Sequence, residues 1–442
     1  MENTVKHFTL KLAATATLSA ALSSAAVAGG FMLTEQSVAG LGRAYAGAGI
    51  VGDDLSAVWY NPAGMSLLSG TAVQMGTVVA DLDLEVTTNS SATFDNGRNG
   101  TKENGRKHGV PIPNMYLVHQ IRDDMWFGLG ITVPFGMATE YDENWAAADK
   151  GMNAEVKVFD INPNVAFKLT DTLSFGAGVS LQYVTAQFEQ RQALYMHGRQ
   201  AGNVRVRLNA DGWAWGGNLG FMWQPTETVR VGLAYRSQVN HKADGYLKTD
   251  LTTYATDAIP HTTSLKSNDG HAEMSAPHVI TLTGTWKATE ALRLSGLVRW
   301  TNWSSFDKLP ISGSSLYAVT SQLGQPTDKT EATYKWKDSW LFTVGADYDI
   351  NDEFTVRGGV GYEISPVDDD KYRSATIPDT DRLWLSMGAT WHASKNLQGD
   401  FGIAYLKGIG NKDLYNDKGV KVAEFDKLDA ILWGAQFVYK FD

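Results

Sequence analysis

The 442 residues include no cysteine, which removes disulfides, thiol nucleophiles and thiolate metal sites from consideration. A formal charge of −10, spread without basic runs, gives no reason to expect nucleic acid as a partner. With 44 Gly, 14 Trp, 17 Tyr and 17 Phe, the composition suits aromatic strands and tight turns better than helices.

Residues 1–28 read as an export signal. Lys6 and Lys11 form its basic part, Leu12 to Val27 an apolar, alanine-rich stretch, and Ala26, Val27 and Ala28 the small-x-small site. Cleavage is expected after Ala28, so the mature chain would begin Gly29-Gly30-Phe31. No later stretch is long and apolar enough for a spanning helix, so a place in a membrane would require a closed barrel of strands. Residues 29–70 carry Gly40, Gly42, Gly47, Gly49, Gly52, Gly64 and Gly70 between short helix-compatible pieces and do not alternate. A segment of this kind ahead of a wide barrel is a candidate plug.

From residue 71 the pattern changes to period two. Leu173, Phe175, Ala177, Val179, Leu181 and Tyr183 fall on one face, with Ser174, Gly176, Gly178, Ser180 and Gln182 on the other. Such stretches predict strands near 71–83, 111–121, 126–135, 159–168, 173–189, 212–223, 229–239, 278–287, 291–303, 338–349, 354–363, 381–391, 397–406 and 429–441, fourteen in all. Short turns, such as 122–124, 169–172 and 351–353, alternate with long stretches near 84–110, 190–211, 240–277, 304–337, 364–380 and 407–428, expected as polar loops. Outer-membrane barrels have short periplasmic turns and long external loops. The expected fold is all-β: a fourteen-stranded antiparallel transmembrane β-barrel (71–442) plugged by a small N-terminal helical hatch (29–70). A soluble all-β protein stays open as an alternative, since a period-two stripe does not say whether its apolar side faces a core or lipid.

Enzymatic chemistry has no carrier here. There is no GxSxG elbow and no HExxH pair, and His241, His261, His271 and His278 are spaced unlike a metal site and are expected as solvated loop residues. Neither a metal nor a cofactor is expected.

Gly29-Gly30-Phe31, the run GLGRAYAGAG at 40–49, Asp53-Asp54 and Asn61-Pro62-Ala63 resemble the amino-terminal hatch of the long-chain fatty acid transporter family of Gram-negative outer membranes, the FadL family. Ile112-Pro113-Asn114-Met115, Phe135-Gly136-Met137, Tyr235-Arg236-Ser237, Ser365-Pro366-Val367 and Ile377-Pro378-Asp379-Thr380-Asp381-Arg382 extend the resemblance in family order over the mature chain. The resemblance implies passive uptake of long-chain fatty acids or similar hydrophobic molecules across the outer membrane, with lateral release through the wall. A relative that carries aromatic hydrocarbons is one alternative; a hydrophilic porin, which would lack the plug, is another.

By the same resemblance Phe31 is a filler of the deep pocket, Gly136 marks a kink in the third strand, and Asn61 and Pro62 hold the hatch. Without that context Phe31 would be an ordinary buried anchor and Gly136 an ordinary loop glycine. Glu363 and Arg382, closing strand 11 and opening strand 12, match a charged pair near the ligand head group. Two cations that meet the carboxylate in the family fall here on Gln190 and Ala332, which leaves the nearby Arg191, Lys329 and Lys335 as candidates, with Arg191 and Lys335 taken as ligand-binding. The implied surroundings are outer-membrane lipid and lipopolysaccharide, and the implied state is a monomer.

Overall fold

The structure, a computed structural model, describes residues 29–94, 102–105, 109–196, 199–254, 260–416 and 418–441. The expected signal peptide at 1–28 lies outside the described residues. Fourteen antiparallel strands form the wall: β1 (Thr71–Thr88), β2 (Val110–Arg122), β3 (Met125–Glu140), β4 (Asn153–Lys168), β5 (Leu173–Met196), β6 (Arg199–Thr226), β7 (Val229–Arg236), β8 (Val279–Lys287), β9 (Leu292–Thr301), β10 (Ser339–Asp349), β11 (Phe354–Ile364), β12 (Asp381–His392), β13 (Leu397–Ile409) and β14 (Lys421–Phe441). Sequential strands pair as neighbours, and β14 pairs with β1 from Thr71–Phe441 to Thr88–Ala423, which closes the sheet into a barrel.

The faces of the wall decide the environment. Val179, Val344, Leu385, Met387 and Trp433 are exposed on the outside, and Trp215 is 77% exposed. Inside, the alternate positions are polar or glycine: Asp160, Asn162, Asn164, Ser180, Asn218, Arg299, Asp347 and Arg357 are buried. A water-soluble sheet packs its apolar face inward, so this inverted arrangement excludes the soluble alternative. At the long-loop end, outward aromatic residues on five ascending strands bind a polar residue on, or immediately before, the following strand. The pairs are Tyr183–Asp211 (3.0 Å), Tyr235–His278 (2.8 Å), Trp300–Asp338 (3.0 Å), Tyr362–Asp381 (2.7 Å) and Tyr405–Asp429 (2.7 Å). They form a rim of rings whose polar tips turn to the wet side, as membrane interfaces require.

Much of what reads as polar loop in the sequence is sheet. β5 and β6 run for 24 and 28 residues, well beyond a bilayer crossing. Strands Val239–Thr253 and His261–Ala276 extend the projecting sheet, which Lys308–Ser312 and Lys329–Thr333 continue beside helix α1 (Ser314–Gln322). The expectation of solvated histidines is corrected at two positions. His241 is buried in Val239–Thr253, and the His278 ring is held by Tyr235 and by the Gln238 amide.

Residues 29–51 are all buried within the barrel. Two one-turn helices, Val38–Leu41 and Ala57–Tyr60, and a 3₁₀ turn, Pro62–Leu67, break up the segment. Ser37 caps the first, its Oγ accepting from the Gly40 amide, and Asn61 caps the third through the Ala63 amide. The wall accommodates the segment by omitting side chains. A Cβ at Gly359 would sit 2.2 Å from the Arg43 carbonyl carbon, and one at Gly220 would sit 2.1 Å from the Asn61 Oδ1.

Candidate functional site

The site begins where the wall stops being continuous. β2 pairs with β3 only between Met115–Ile131 and Arg122–Met125, whereas β3 stays paired with β4 up to Glu140–Asn153. Beyond residue 131, then, β3 leaves β2 and bends with β4. A register break between Thr132 and Phe135 contains Pro134, and β2 carries Pro111 and Pro113 along its unpartnered stretch. Proline suits a strand with a free edge because it has no N–H to leave unpaired.

The N-terminal segment occupies the freed edge of β3. The Leu33 amide donates to the Pro134 carbonyl (2.8 Å), the Gly136 amide donates to the Phe31 carbonyl (2.9 Å), and the Gln36 side-chain amide donates to the Val133 carbonyl (2.8 Å). Tyr116 reaches from β2 to the Gln36 carbonyl (2.8 Å), bridging the gap. The irregularity lies at residues 133 and 134, and Gly136 is not among the positive-φ glycines. Gly136 therefore serves as a backbone donor to Phe31 instead of supplying an unusual dihedral angle.

Phe31 ends this short pairing inside a box of rings. Its centroid lies 4.6 Å from Trp303, 5.2 Å from Phe306, 5.9 Å from Phe135 and 6.2 Å from Trp336. Tyr334 extends the box, 4.9 Å from Phe306. Gly30 can precede Phe31 only as glycine: its φ is +67°, and a Cβ would sit 2.7 Å from the Trp303 ring.

Next to the box lies a buried charged cluster. Glu363 is 3.3 Å from Arg299 and 3.6 Å from Arg382, its cross-strand partner, and it accepts the Gly29 amide at 3.0 Å. Asp379 holds Arg382 at 3.1 Å and also accepts the Gly30 amide. Arg299 donates to the Thr34 hydroxyl (2.8 Å). Glu35 is wholly buried, and burial pushes its carboxyl up to about 7 against the pull of its own backbone amide. Glu363 pushes it in the same direction, while Arg299 and Arg382 pull against them.

Toward the long-loop end a pocket of about 540 Å³ is lined by Lys308, Lys335, Lys371, Arg373 and Tyr334. A narrow neck of about 60 Å³, lined by Phe188, Val206, Leu309 and Ile311, shares Gln190, Ala332 and Tyr334 with that pocket. Tyr334 therefore touches the outer pocket, the neck and the aromatic box. Lys335, at a positive φ of 46°, rests its ammonium 4.9 Å from the Tyr372 ring centre, and the hydrogen bond to that phenol raises its proton affinity.

The expected site residues thus separate into groups. Phe31, Glu363 and Arg382 come together, with Gly136 at the adjoining edge. Lys335 lies outside, at the mouth. Arg191 does not join it: its guanidinium stacks 4.1 Å from Phe94 and donates to the Trp145 carbonyl (3.4 Å), which corrects its expected place beside the ligand. Strand alternation is the reason, since Gln190, the next residue, is the one that faces the pocket. Asn61 and Pro62 sit on the opposite flank, where the Asn61 side-chain amide donates to the Phe221 carbonyl (3.0 Å) of β6, and Pro62 fills the space left by Gly176. Glu35 and the box residues Trp303, Phe306, Tyr334 and Trp336 are not among the site residues that the sequence suggests. The close aromatic spacing at 303/306 and 334/336 was the available signal.

Comparison with known proteins agrees with this geometry. Residues 19–441 match a family described as outer membrane protein transport protein (OMPP1/FadL/TodX). The outer membrane protein P1 of Haemophilus influenzae is 30% identical, with 91% of each chain covered. The long-chain fatty acid transport protein of Escherichia coli is 28% identical over 96% of each. Among solved structures, a FadL homologue of Pseudomonas aeruginosa superimposes with a TM-score of 0.78 at 22% identity, covering 93% of this chain and 100% of its own. The toluene transporter TodX of Pseudomonas putida gives 0.68 at 16%, covering 88% and 94%.

Proposed function

The chain belongs to the OMPP1/FadL/TodX family of outer-membrane transport proteins, and from that premise we propose that it admits long-chain fatty acids, or hydrophobic molecules like them, by passive diffusion with lateral release through its wall. The observation that carries the reading is the gap between β2 and β3, covered by residues 31–36 of the N-terminal segment, which act as a hatch. The last strand ends at the short-turn side, facing the periplasm, and the long loops face outward, whereas Gly29 lies toward the long-loop end beside Glu363.

Substrate enters at the outer pocket, where Lys335, Lys371 and Lys308 offer ammonium groups to a carboxylate, and its tail follows the neck past Tyr334. Phe31 occupies the box in place of a ligand. An apolar chain or ring displaces it at little cost, because one apolar filler replaces another. Withdrawal of Phe31 breaks the few hydrogen bonds that tie residues 31–36 to β3, and the gap opens toward the membrane. Cleavage after Ala28 would turn the Gly29 nitrogen, already bound to Glu363, into an ammonium. Together with Arg299 and Arg382 it would face Glu363 and Asp379 and so help to hold the closed state.

A second reading has its own support. The box is built from rings, and Gln190 and Ala332 stand at the neck where the resemblance implies cations, which suits an uncharged aromatic hydrocarbon, although Lys150 also lines the neck. Uptake of labelled oleate and labelled toluene by cells that depend on this protein separates the two: Glu363→Ala should reduce oleate uptake more than toluene uptake if head groups are read there. No uptake of either compound, together with large ion conductance in planar bilayers, would replace both readings with a porin.

A further inference from the structure

Outside the wall, across β8 to β13, lies a depression of about 870 Å³ that plays no part in the route above. A barrel is convex, and the hollow arises because Gly284 and Gly296, paired across β8 and β9, face outward without side chains. Its lower row continues through the paired residues Val344, Val360, Leu385 and Tyr405, one from each successive strand. The row above it ends at Lys407. The row is oblique to the membrane. Tyr405 belongs to the outer rim of rings, whereas Gly296 lies well below Trp300, the rim residue of its own strand. Five inter-strand steps of about 4.8 Å span roughly 24 Å. On strands tilted by about 40°, this is a climb of roughly 15 Å, one leaflet of a hydrocarbon layer about 30 Å thick.

We propose that this depression seats an acyl chain of one lipopolysaccharide molecule of the outer leaflet, with a head-group phosphate at Lys407. The hollow is apolar along its length and basic only at the rim. Lys407 is more than half exposed, and its nearest carboxylate, Asp429, stands 3.9 Å away. The Asp429 oxygens already accept from the Tyr405 hydroxyl and the Gly408 amide, so the ammonium can turn to a phosphate. A second copy of the chain is a poorer occupant, because twofold packing would set hollow against hollow. The seat lies across the barrel from the β2–β3 gap, so it can be altered without touching the transport route.

The test is native mass spectrometry of protein extracted gently from outer membranes, comparing wild type, Gly284→Leu with Gly296→Leu, and Lys407→Ala. A Cβ at Gly284 meets nothing within 4 Å and one at Gly296 only a carbonyl oxygen at 3.6 Å, so the double variant fills the hollow without forcing the wall. Wild type should retain one lipopolysaccharide, and the filled variant should lose about tenfold in occupancy, equivalent to about 1.4 kcal/mol. Lys407→Ala should lose a smaller factor, and oleate uptake should be unchanged in both. Retention equal to wild type in the filled variant, retained phospholipid instead of lipopolysaccharide, or a protein dimer in its place would each overturn the proposal. If the double variant does not fold, judged by heat-modifiable gel mobility, Lys407→Glu decides: undiminished lipopolysaccharide there would also overturn it.

Discussion

The N-terminal segment is attached to the barrel twice, by two different kinds of chemistry. At the short-turn end Arg43 grips Asp53 through both outer nitrogens (2.6 and 3.1 Å) and reaches Asp347 at 3.3 Å. Arg357 shares Asp347 (3.1 Å) and Asp400 (3.3 Å), and the Gln436 and Gln74 side chains accept the Val38 and Leu55 amides. Asp54 is bound by Ser37, Ser56 and Gln436. At the other end the polar hold is sparser: backbone bonds to β3, single hydrogen bonds from Gly29 to Glu363, Gly30 to Asp379 and Arg299 to Thr34, and, for the rest, a ring among rings beside a buried Glu35. A dense polar network resists motion because breaking its bonds strands buried partners, whereas an apolar contact can be exchanged for another apolar contact. The contrast implies a fixed anchor around residues 37–56 and a releasable tip at 29–36.

The largest effect should come from the anchor. Arg43→Ala removes one of the two arginines that Asp53 and Asp347 each contact and leaves Arg357 alone with both, so the cost should sit at the lower end for a buried pair, about 3 kcal/mol. Hydrogen exchange should accelerate across residues 38–56, and planar bilayers should show new ion conductance. Heat-modifiable mobility should persist, since the ladder from β1 to β14 does not involve Arg43. Unchanged exchange would mean that the network does not hold the segment. The tip should answer differently. Phe31→Ala removes a filler whose loss from a rigid core costs about 3 kcal/mol, a cost that a ligand would offset under the proposed function. Oleate should bind more tightly than to wild type; equal or weaker binding would show that Phe31 is a structural anchor and does not compete with ligand.

Between these lies the flank at Asn61 and Pro62. Substituting Asn61→Ala with Pro62→Gly deletes the bond to the Phe221 carbonyl and a helix cap, roughly 1–2 kcal/mol together. Uptake should change while the barrel still assembles. Normal uptake with normal mobility would remove the pair from gating, and lost mobility would make it a folding element.

How far the sequence revealed this division depends on the residues concerned. Wall strands were legible wherever one face was wholly apolar, as from Leu173 to Tyr183, because lipid outside and polar lumen inside impose period two. In 199–211 the apolar positions Val204, Val206, Leu208 and Ala210 do alternate, but Arg205, Arg207 and Asn209 between them made the stretch read as loop. Arg191 was misplaced by a single step of that alternation. The resemblance pointed to Phe31, Glu363 and Arg382. Apart from Phe135, the rings around Phe31 come from positions more than 270 residues later in the chain, and only folding brings them together. Glu35 gave no signal at all, because one carboxylate in a glycine-rich stretch looks solvated until its burial is seen.

Glu35 supplies the last prediction, an effect of slope more than of size. The groups that face it are Glu363, Arg299 and Arg382 from the wall, and Tyr45 and Tyr60 from its own segment. Burial outweighs the arginines and raises it from 4.5 to about 7 when docked. A released tip returns it to water and to its ordinary value. The docked state therefore binds the extra proton, and its advantage is complete below about 4.5 and declines as pH climbs toward 7. Above that range no further loss is expected from this group, since both states are then ionised. Release of the tip, read by hydrogen exchange at residues 31–36, should accelerate between pH 5 and about 7 and then level off. Glu35→Gln keeps the shape and removes the titration, so the same amides should show almost no acceleration beyond the intrinsic chemistry of exchange. If the variant keeps the wild-type slope, the proton is taken up elsewhere in the charged cluster and Glu35 does not time the tip; if wild type shows no slope, the carboxyl stays neutral in both states.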